Sequence, residues 1–151
     1  DEAKERNLKL LQQTHWGTLA ETLDETVTLI KTINRQNFGI TFEPANLMAC
    51  GSEFNKNALN QLLPHTENFY FQNIILDKKG NHVFPTIHNG DVRDKYVSLQ
   101  NAKGVNIFSF LDFLKEKKYD KWFTIHQPLL EDQKVEIAIE NASKLFLQYK
   151  F

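Results

Sequence analysis

Residues 68–76 read NFYFQNIIL, an apolar and aromatic run interrupted only by the polar pair Gln72-Asn73. Strict alternation would mark a strand with one wet face. A run that stays apolar marks one covered on both faces, as in a parallel sheet clothed by helices, so a single strand is expected over Asn68–Leu76. Working outward, three more apolar runs stand at Leu8–Gln13, Phe38–Phe42 and Trp122–His126. Each of the four runs carries a polar residue at or near its end: Gln13, Glu43, Gln72 and His126. The first three are spaced by 30 and 29 residues, close to one strand-helix unit when about 250 residues make eight of them. In an eight-fold barrel the C-terminal strand ends converge on one axial pocket, so this spacing predicts that the four polar residues are neighbours.

Helical patterns fill the intervals. Thr22 followed three residues later by Glu25 forms a capping box, and Leu23, Val27, Ile30 and Ile33 lie along one face behind it. Asn55–Leu63, stopped by Pro64, is expected to bury Ala58, Leu59, Leu62 and Leu63. Ile107, Phe108, Leu111 and Leu114 mark a third helix, and Asp132–Gln148 a fourth, with Val135, Ala138, Ala142 and Leu145 on one stripe. The third helix is delayed by a polar stretch, residues 77–104, whose turn signals at Asp77-Lys78-Lys79-Gly80 and Asn89-Gly90 predict a hairpin excursion or lid. No low-complexity linker divides the chain, so residues 1–151 read as one segment.

Strand alternating with helix four times specifies an α/β fold with parallel strands joined by right-handed crossovers. Length favours an open doubly wound sheet, because a barrel needs roughly 200 residues or more. The glycines point the other way: the six are scattered, and neither G-x-G-x-x-G nor G-x-x-x-x-G-K-[ST] occurs. Lysine and arginine total 18 against 19 acidic residues, net −1, which supplies no footprint for a phosphate backbone, so nucleic acid is not an expected partner. No apolar run approaches the roughly 20 residues of a membrane span. The single Cys50 rules out an internal disulfide framework and a cysteine zinc motif, and fits a reducing, cytoplasmic setting. A chain that opens DEAKERN, without Met and nearly on a strand, reads like part of something longer.

The segments THWGTLA (14–20), GITFEPANL (39–47), NFYFQN (68–73) and FTIHQP (123–128) resemble the last four strand ends of the xylose isomerase-like barrels, the sugar phosphate isomerase/epimerase group. The resemblance covers about Leu8 to Leu147. It implies the C-terminal half of a (β/α)8 TIM barrel, strands five to eight, with strands one to four absent. A homodimer, or a second chain supplying the other half, would then close the sheet. It further implies a sugar isomerase or epimerase acting on a small sugar, sugar phosphate or polyol by metal-assisted acid/base chemistry. The other reading is a non-catalytic carbohydrate-binding or assembly module with a degenerate metal site.

Family members hold a divalent metal with one carboxylate or His from each of these strand ends. Carried over by position, the metal set is Gln13, Glu43, Gln72 and His126, with Glu43 as the catalytic carboxylate. His15, Trp16 and Asn46 become substrate-binding, and His15 could also stand in as a ligand. One anion, one imidazole and two amides suit Mn²⁺ or Zn²⁺ better than Mg²⁺. Structural alternatives stay open: Glu43 before Pro44 also suits a solvated turn, Gln13 and Gln72 could satisfy backbone groups, and His126 could be a structural histidine. Cys50, in an apolar stretch, reads as an inert buried thiol.

Overall fold

The computed structural model describes residues 2–52 and 56–149. In chain order its elements are α1 (Glu2–Glu5), β1 (Leu10–Gln13), α2 (Leu23–Ile33), β2 (Phe38–Phe42), α3 (Pro44–Ala49), α4 (Lys56–Leu62), a 3₁₀ turn at Leu63–His65, β3 (Thr66–Phe71), β4 (Ile74–Leu76), β5 (His82–Thr86), β6 (Gly90–Tyr96), α5 (Ile107–Glu116), β7 (Trp122–Ile125) and α6 (Val135–Leu147). β1, β2, β3 and β7 form one parallel sheet in that order. Every crossover therefore steps in the same direction. Right-handed crossovers that never reverse place all helices on one face of the sheet, which is the arrangement of a barrel wall and removes the doubly wound alternative. Four strands make half of an eight-fold barrel, and the sheet is open.

The two faces differ as that geometry requires. Ile40, Phe42, Phe69 and Phe71 point to the helices and are buried. Phe42 packs on Phe110 of α5 with ring centres 6.2 Å apart, and Phe71 on Phe146 of α6 at 5.3 Å. The opposite face carries Thr41, Asn68, Tyr70 and Thr124, with Asn68 and Thr124 hydrogen-bonded side chain to side chain at 3.0 and 3.2 Å. Local signals set the helix ends. Thr22 Oγ1 accepts from the Glu25 N–H at 3.2 Å, while the Thr22 N–H donates to Glu25 Oε2 at 3.0 Å, so the capping box opens α2.

The strand expected over Asn68–Leu76 is two strands in two sheets. β3 ends at Phe71, and β4 pairs antiparallel with β6, Ile74 opposite Tyr96. The break falls at Asn73, whose N–H donates to Gln127 Oε1 at 2.8 Å and whose carbonyl accepts from the Val97 N–H at 3.0 Å, pulling the backbone out of the parallel ladder. The excursion is a three-stranded antiparallel sheet, β4-β6-β5, that begins at Ile74. α3 has no counterpart among the helices expected from sequence; Pro44 stands in its first turn, where a missing N–H leaves no helical bond unmade. Asn55 and the side chain of Ala58 lie outside the described residues; Leu59 and Leu62 are buried, and Leu63 falls in the 3₁₀ turn before Pro64. On α6 only the C-terminal part of the expected stripe is covered: Ala142 and Leu145 are buried, but Val135 is half exposed. Its first turns stand beyond the free edge of β7, with no described strand to cover them.

Candidate functional site

Glu43 is 0% exposed and ends β2, aimed from the barrel-interior face. Thr14, just past β1, fixes its backbone: the Glu43 N–H donates to Thr14 Oγ1 at 2.8 Å, and the Thr14 N–H to the Thr41 carbonyl at 3.0 Å. Three side chains then converge on the carboxylate. Gln13 Nε2 and Asn46 Nδ2 donate to Oε2, the latter at 2.9 Å. His126 Nδ1 lies 3.0 Å from Oε1. Gln72 reaches the cluster one step removed, donating to Asn46 Oδ1 at 3.4 Å. The structure thus brings Gln13, Glu43, Asn46, Gln72 and His126 into one hydrogen-bonded group at the C-terminal strand ends. The hydrogen bond from the Glu43 carboxylate, aided by its charge, raises the His126 pKa above the usual imidazole value against the opposing effect of partial burial.

Above this group lies an open cleft of about 490 Å³. His15, Trp16, Asn46, Gln72 and His126 line it, and Phe84 and Tyr96 contribute a wall from the antiparallel sheet. β1 ends at Gln13, so His15 leaves the strand and does not join the Glu43 group; its Nδ1 pairs with the Trp16 carbonyl at 2.8 Å. Trp16 stacks obliquely between His15, at 4.5 Å, and Phe84, at 5.7 Å.

Sequence reasoning missed four contributors. Tyr70 stands behind His126 with ring centres 5.0 Å apart, and the period-two step back from Gln72 could have pointed to it. Phe84 and Tyr96 come from the excursion, whose fold over the cleft no local signal announces. Glu21 is fully buried and holds the tip of that excursion, accepting from the N–H groups of Gly17 and Ile87 at 2.8 Å each and of His88 at 3.3 Å. Cys50 is buried, and burial, with Glu21 and Glu25 nearby, pushes its thiol up to about 12, so it is no nucleophile at neutral pH.

Among the described residues no group of three or more His, Cys, Asp or Glu is placed to hold a metal ion. The donors that do converge are one carboxylate, one imidazole and amides. Carboxylate and imidazole are metal-ligating types, but Gln13 and Asn46 turn N–H groups rather than oxygens toward Glu43, and a hard Mg²⁺ would find little charge compensation among these groups.

Residues 1–138 match the sequence model of a family described as xylose isomerase-like TIM barrel. Curated proteins yield no match. Solved structures do. The chain superposes with a TM-score of 0.70 and 20% identity on the probable 3-DHS dehydratase AsbF, involved in petrobactin synthesis, from Bacillus anthracis, covering 95% of this chain and 51% of that one. A xylose isomerase domain protein from Planctomyces limnophilus gives 0.70 and 18%, covering 98% and 47%. A xylose isomerase-like TIM barrel protein from Mycobacterium smegmatis, in complex with magnesium, gives 0.67 and 18%, covering 99% and 46%. The chain spans about half the length of these structures, and at such identities the likeness speaks for the fold.

Proposed function

The chain belongs to the xylose isomerase-like TIM barrel family, and from that premise we propose that it acts on a small sugar, sugar phosphate or polyol by isomerase- or epimerase-type acid/base chemistry. In this reading β1, β2, β3 and β7 take the places of barrel strands five to eight. The observation that carries it is the Glu43–His126 contact at 3.0 Å. A buried carboxylate, fixed by two amides, orients an imidazole that lines an open cleft and leaves its Nε2 for a ligand. His126, with its raised pKa, holds or accepts a proton at Nε2, and Glu43 compensates the charge that forms on the ring. Asn46 and Gln72 face ligand hydroxyls, and Trp16 supplies an apolar surface for a sugar ring.

A divalent metal would be anchored on Glu43 and His126, with amide oxygens of Gln13 and Gln72 completing the protein's share. Such an ion would polarise a carbonyl or hydroxyl oxygen of the ligand. The second reading, a carbohydrate-binding module without catalysis, is favoured by one observation: Glu43 Oε2 already accepts two amide N–H bonds, which compensate its charge without a cation.

The test pairs Mn²⁺ calorimetry with proton exchange from aldoses and ketoses in D₂O, polyols serving only as binding probes. Wild type is expected to exchange the carbon-bound proton next to the carbonyl, and His126→Ala to lose at least about a hundredfold in rate. Glu43→Gln removes the only matched anion and is expected to weaken Mn²⁺ at least about tenfold. Sugar binding without exchange in any case would leave the binding module; unchanged Mn²⁺ affinity in Glu43→Gln would place the metal elsewhere.

A further inference from the structure

The antiparallel sheet holds a carboxylate that nothing in the acid/base reading uses. Asp94 sits on the central strand β6, is 0% exposed, and neither of its oxygens has a hydrogen-bond partner among the described residues. Alternation along β6 puts its side chain on the face shared with Tyr96, and cross-strand pairing puts it beside His82 on β5. On that same face Phe84 is buried against the core, and Phe84 and Tyr96 are the two residues through which the sheet walls the strand-end cleft. The backbone of Gly80 closes off the strand from outside: a Cβ there would stand 2.0 Å from the Asp94 carbonyl oxygen. An ionised carboxylate enclosed without a protein donor is one of the least tolerated groups in a protein interior, whereas a neutral carboxyl costs far less.

We propose that the β4-β6-β5 sheet is a proton-gated lid: it seats over the cleft when Asp94 is neutral, and ionisation of Asp94 drives it to lift so that the carboxylate meets solvent. Among the described residues the titratable groups facing Asp94 are His82 across the strand pair and Tyr96 on its own strand, and neither is hydrogen-bonded to it. Burial raises the Asp94 pKa, with the His82 charge opposing, and in turn the Asp94 and Glu43 charges add to burial in raising that of Tyr96. At the far end of the lid Glu21 grips the Ile87 and His88 N–H groups, and His88 Nε2 meets Glu25 Oε1 at 2.8 Å, so the tip is a fixed pivot about which the inner strands can part from the cleft. The sign follows from the direction of the Asp94 shift. A carboxyl whose pKa is higher in the seated lid favours seating below its ordinary value of 3.8, and that support is lost as pH rises toward the seated-state pKa. The mechanism does not depend on what the cleft binds.

Amide hydrogen exchange over residues 82–96, compared between wild type and Asp94→Asn at each pH, tests it without any ligand. Asn removes the charge and keeps the shape. The lid-opening constant of wild type relative to Asp94→Asn is expected to be near unity at about pH 4 and to rise at least about tenfold by pH 8. Asp94→Leu, which removes the polar atoms as well, is expected to match Asp94→Asn in losing this dependence and to be at least as well protected at pH 8. Because both proteins of each pair retain His88, its contribution cancels in the ratio. A ratio that stays flat from pH 4 to 8 would overturn the proposal by showing that Asp94 titrates alike in the open and seated lid, and a lid less protected in both variants than in wild type at neutral pH would overturn it by showing that Asp94 is ionised and stabilising where it sits.

Discussion

At the residue scale, the Glu43 carboxylate is held by partners from three places in the chain, Gln13 at the end of β1, Asn46 in α3 and His126 just past β7. Gln13, Glu43, Gln72 and His126 stand out because a strand end is a fixed place, and parallel strands in register carry such places to one end of the sheet. Their roles were less legible. Glu43, placed in the pocket by its strand-end position with a solvated turn as the alternative, is fully enclosed, because Asn46 one turn into α3 and Gln13 from the neighbouring strand fold over it. Glu21 was invisible for a different reason: its partners at Ile87 and His88 lie 66 and 67 residues away, and no periodicity encodes a contact between a loop and a hairpin tip. The tip carries a pH-dependent pair of its own. The His88 pKa is raised by its hydrogen bond and charge interaction with Glu25, while that of Glu25 is lowered because the His88 and Thr22 bonds outweigh its burial. The pair therefore supports the docked tip above the ordinary Glu value of 4.5 and below that of His, 6.5, and its support fades as pH rises through the raised His88 pKa. His88→Gln is expected to abolish the change in exchange protection at residues 87–89 between about pH 6 and 8 while leaving the Asp94-linked change in the inner strands. Loss of both together would show that tip and inner strands open as one body.

At the element scale, the long strands and helices were readable and the joints were not. α2, α5 and β7 lie close to where their patterns place them, since each has a strong internal signal: a capping box, an apolar stripe, an apolar run. The run at 68–76 misled because hydrophobicity reports burial and not which sheet does the burying; Asn73 makes the decision through hydrogen bonds to loop 97–105 that no local rule shows. Between β2 and β3 the register shifts at Ile40/Thr41, an extra residue that turns Glu67 to the barrel-interior face. There its carboxylate meets Lys9 from the β1 side and Lys121 from the β7 side, the latter at 2.9 Å, which lowers the Glu67 pKa despite its burial and ties the sheet together at its N-terminal end. Gly39 makes the room. A Cβ at this position would stand 2.9 Å from the His65 carbonyl oxygen and 3.1 Å from both Glu67 Cγ and Leu11 Cδ2. Backbone on one side and a paired carboxylate on the other leave little to yield, so Gly39→Ala is expected to destabilise the protein by about 1–3 kcal/mol in urea unfolding. Replacing Glu67 with Ala in the same background should relieve part of that cost, and equal losses in both backgrounds would mean that the His65 carbonyl alone sets it.

At the scale of the whole molecule, the sheet order β1-β2-β3-β7 leaves, among the described residues, two free parallel edges and an inner face with nothing across from it. Trp122 on that face is 76% exposed, and Leu10, Leu11 and Ile125 at or beside the two edges are also exposed. Large apolar groups along an unpaired strand edge drive association, and a curved wall of four parallel strands is complemented in shape by a second such wall. Alternation and spacing in the sequence reached parallel strand-helix units, and the family resemblance made of them a half-barrel; whether the other half comes from the same polypeptide or another is a matter of chain connectivity that strand patterns do not carry. For the 151-residue chain by itself the physical expectation is a homodimer in which β1 of each copy pairs with β7 of the other, closing eight strands into one sheet. Light scattering should then give twice the chain mass, with Trp122 emission shifted to shorter wavelength on association. Trp122→Lys, which places a charge on the inner wall, should return the protein to a monomer while leaving α2 and α5 folded by exchange protection. A wild-type monomer with Trp122 still solvent-quenched at high concentration would show that the open edge is tolerated and would overturn the homodimer.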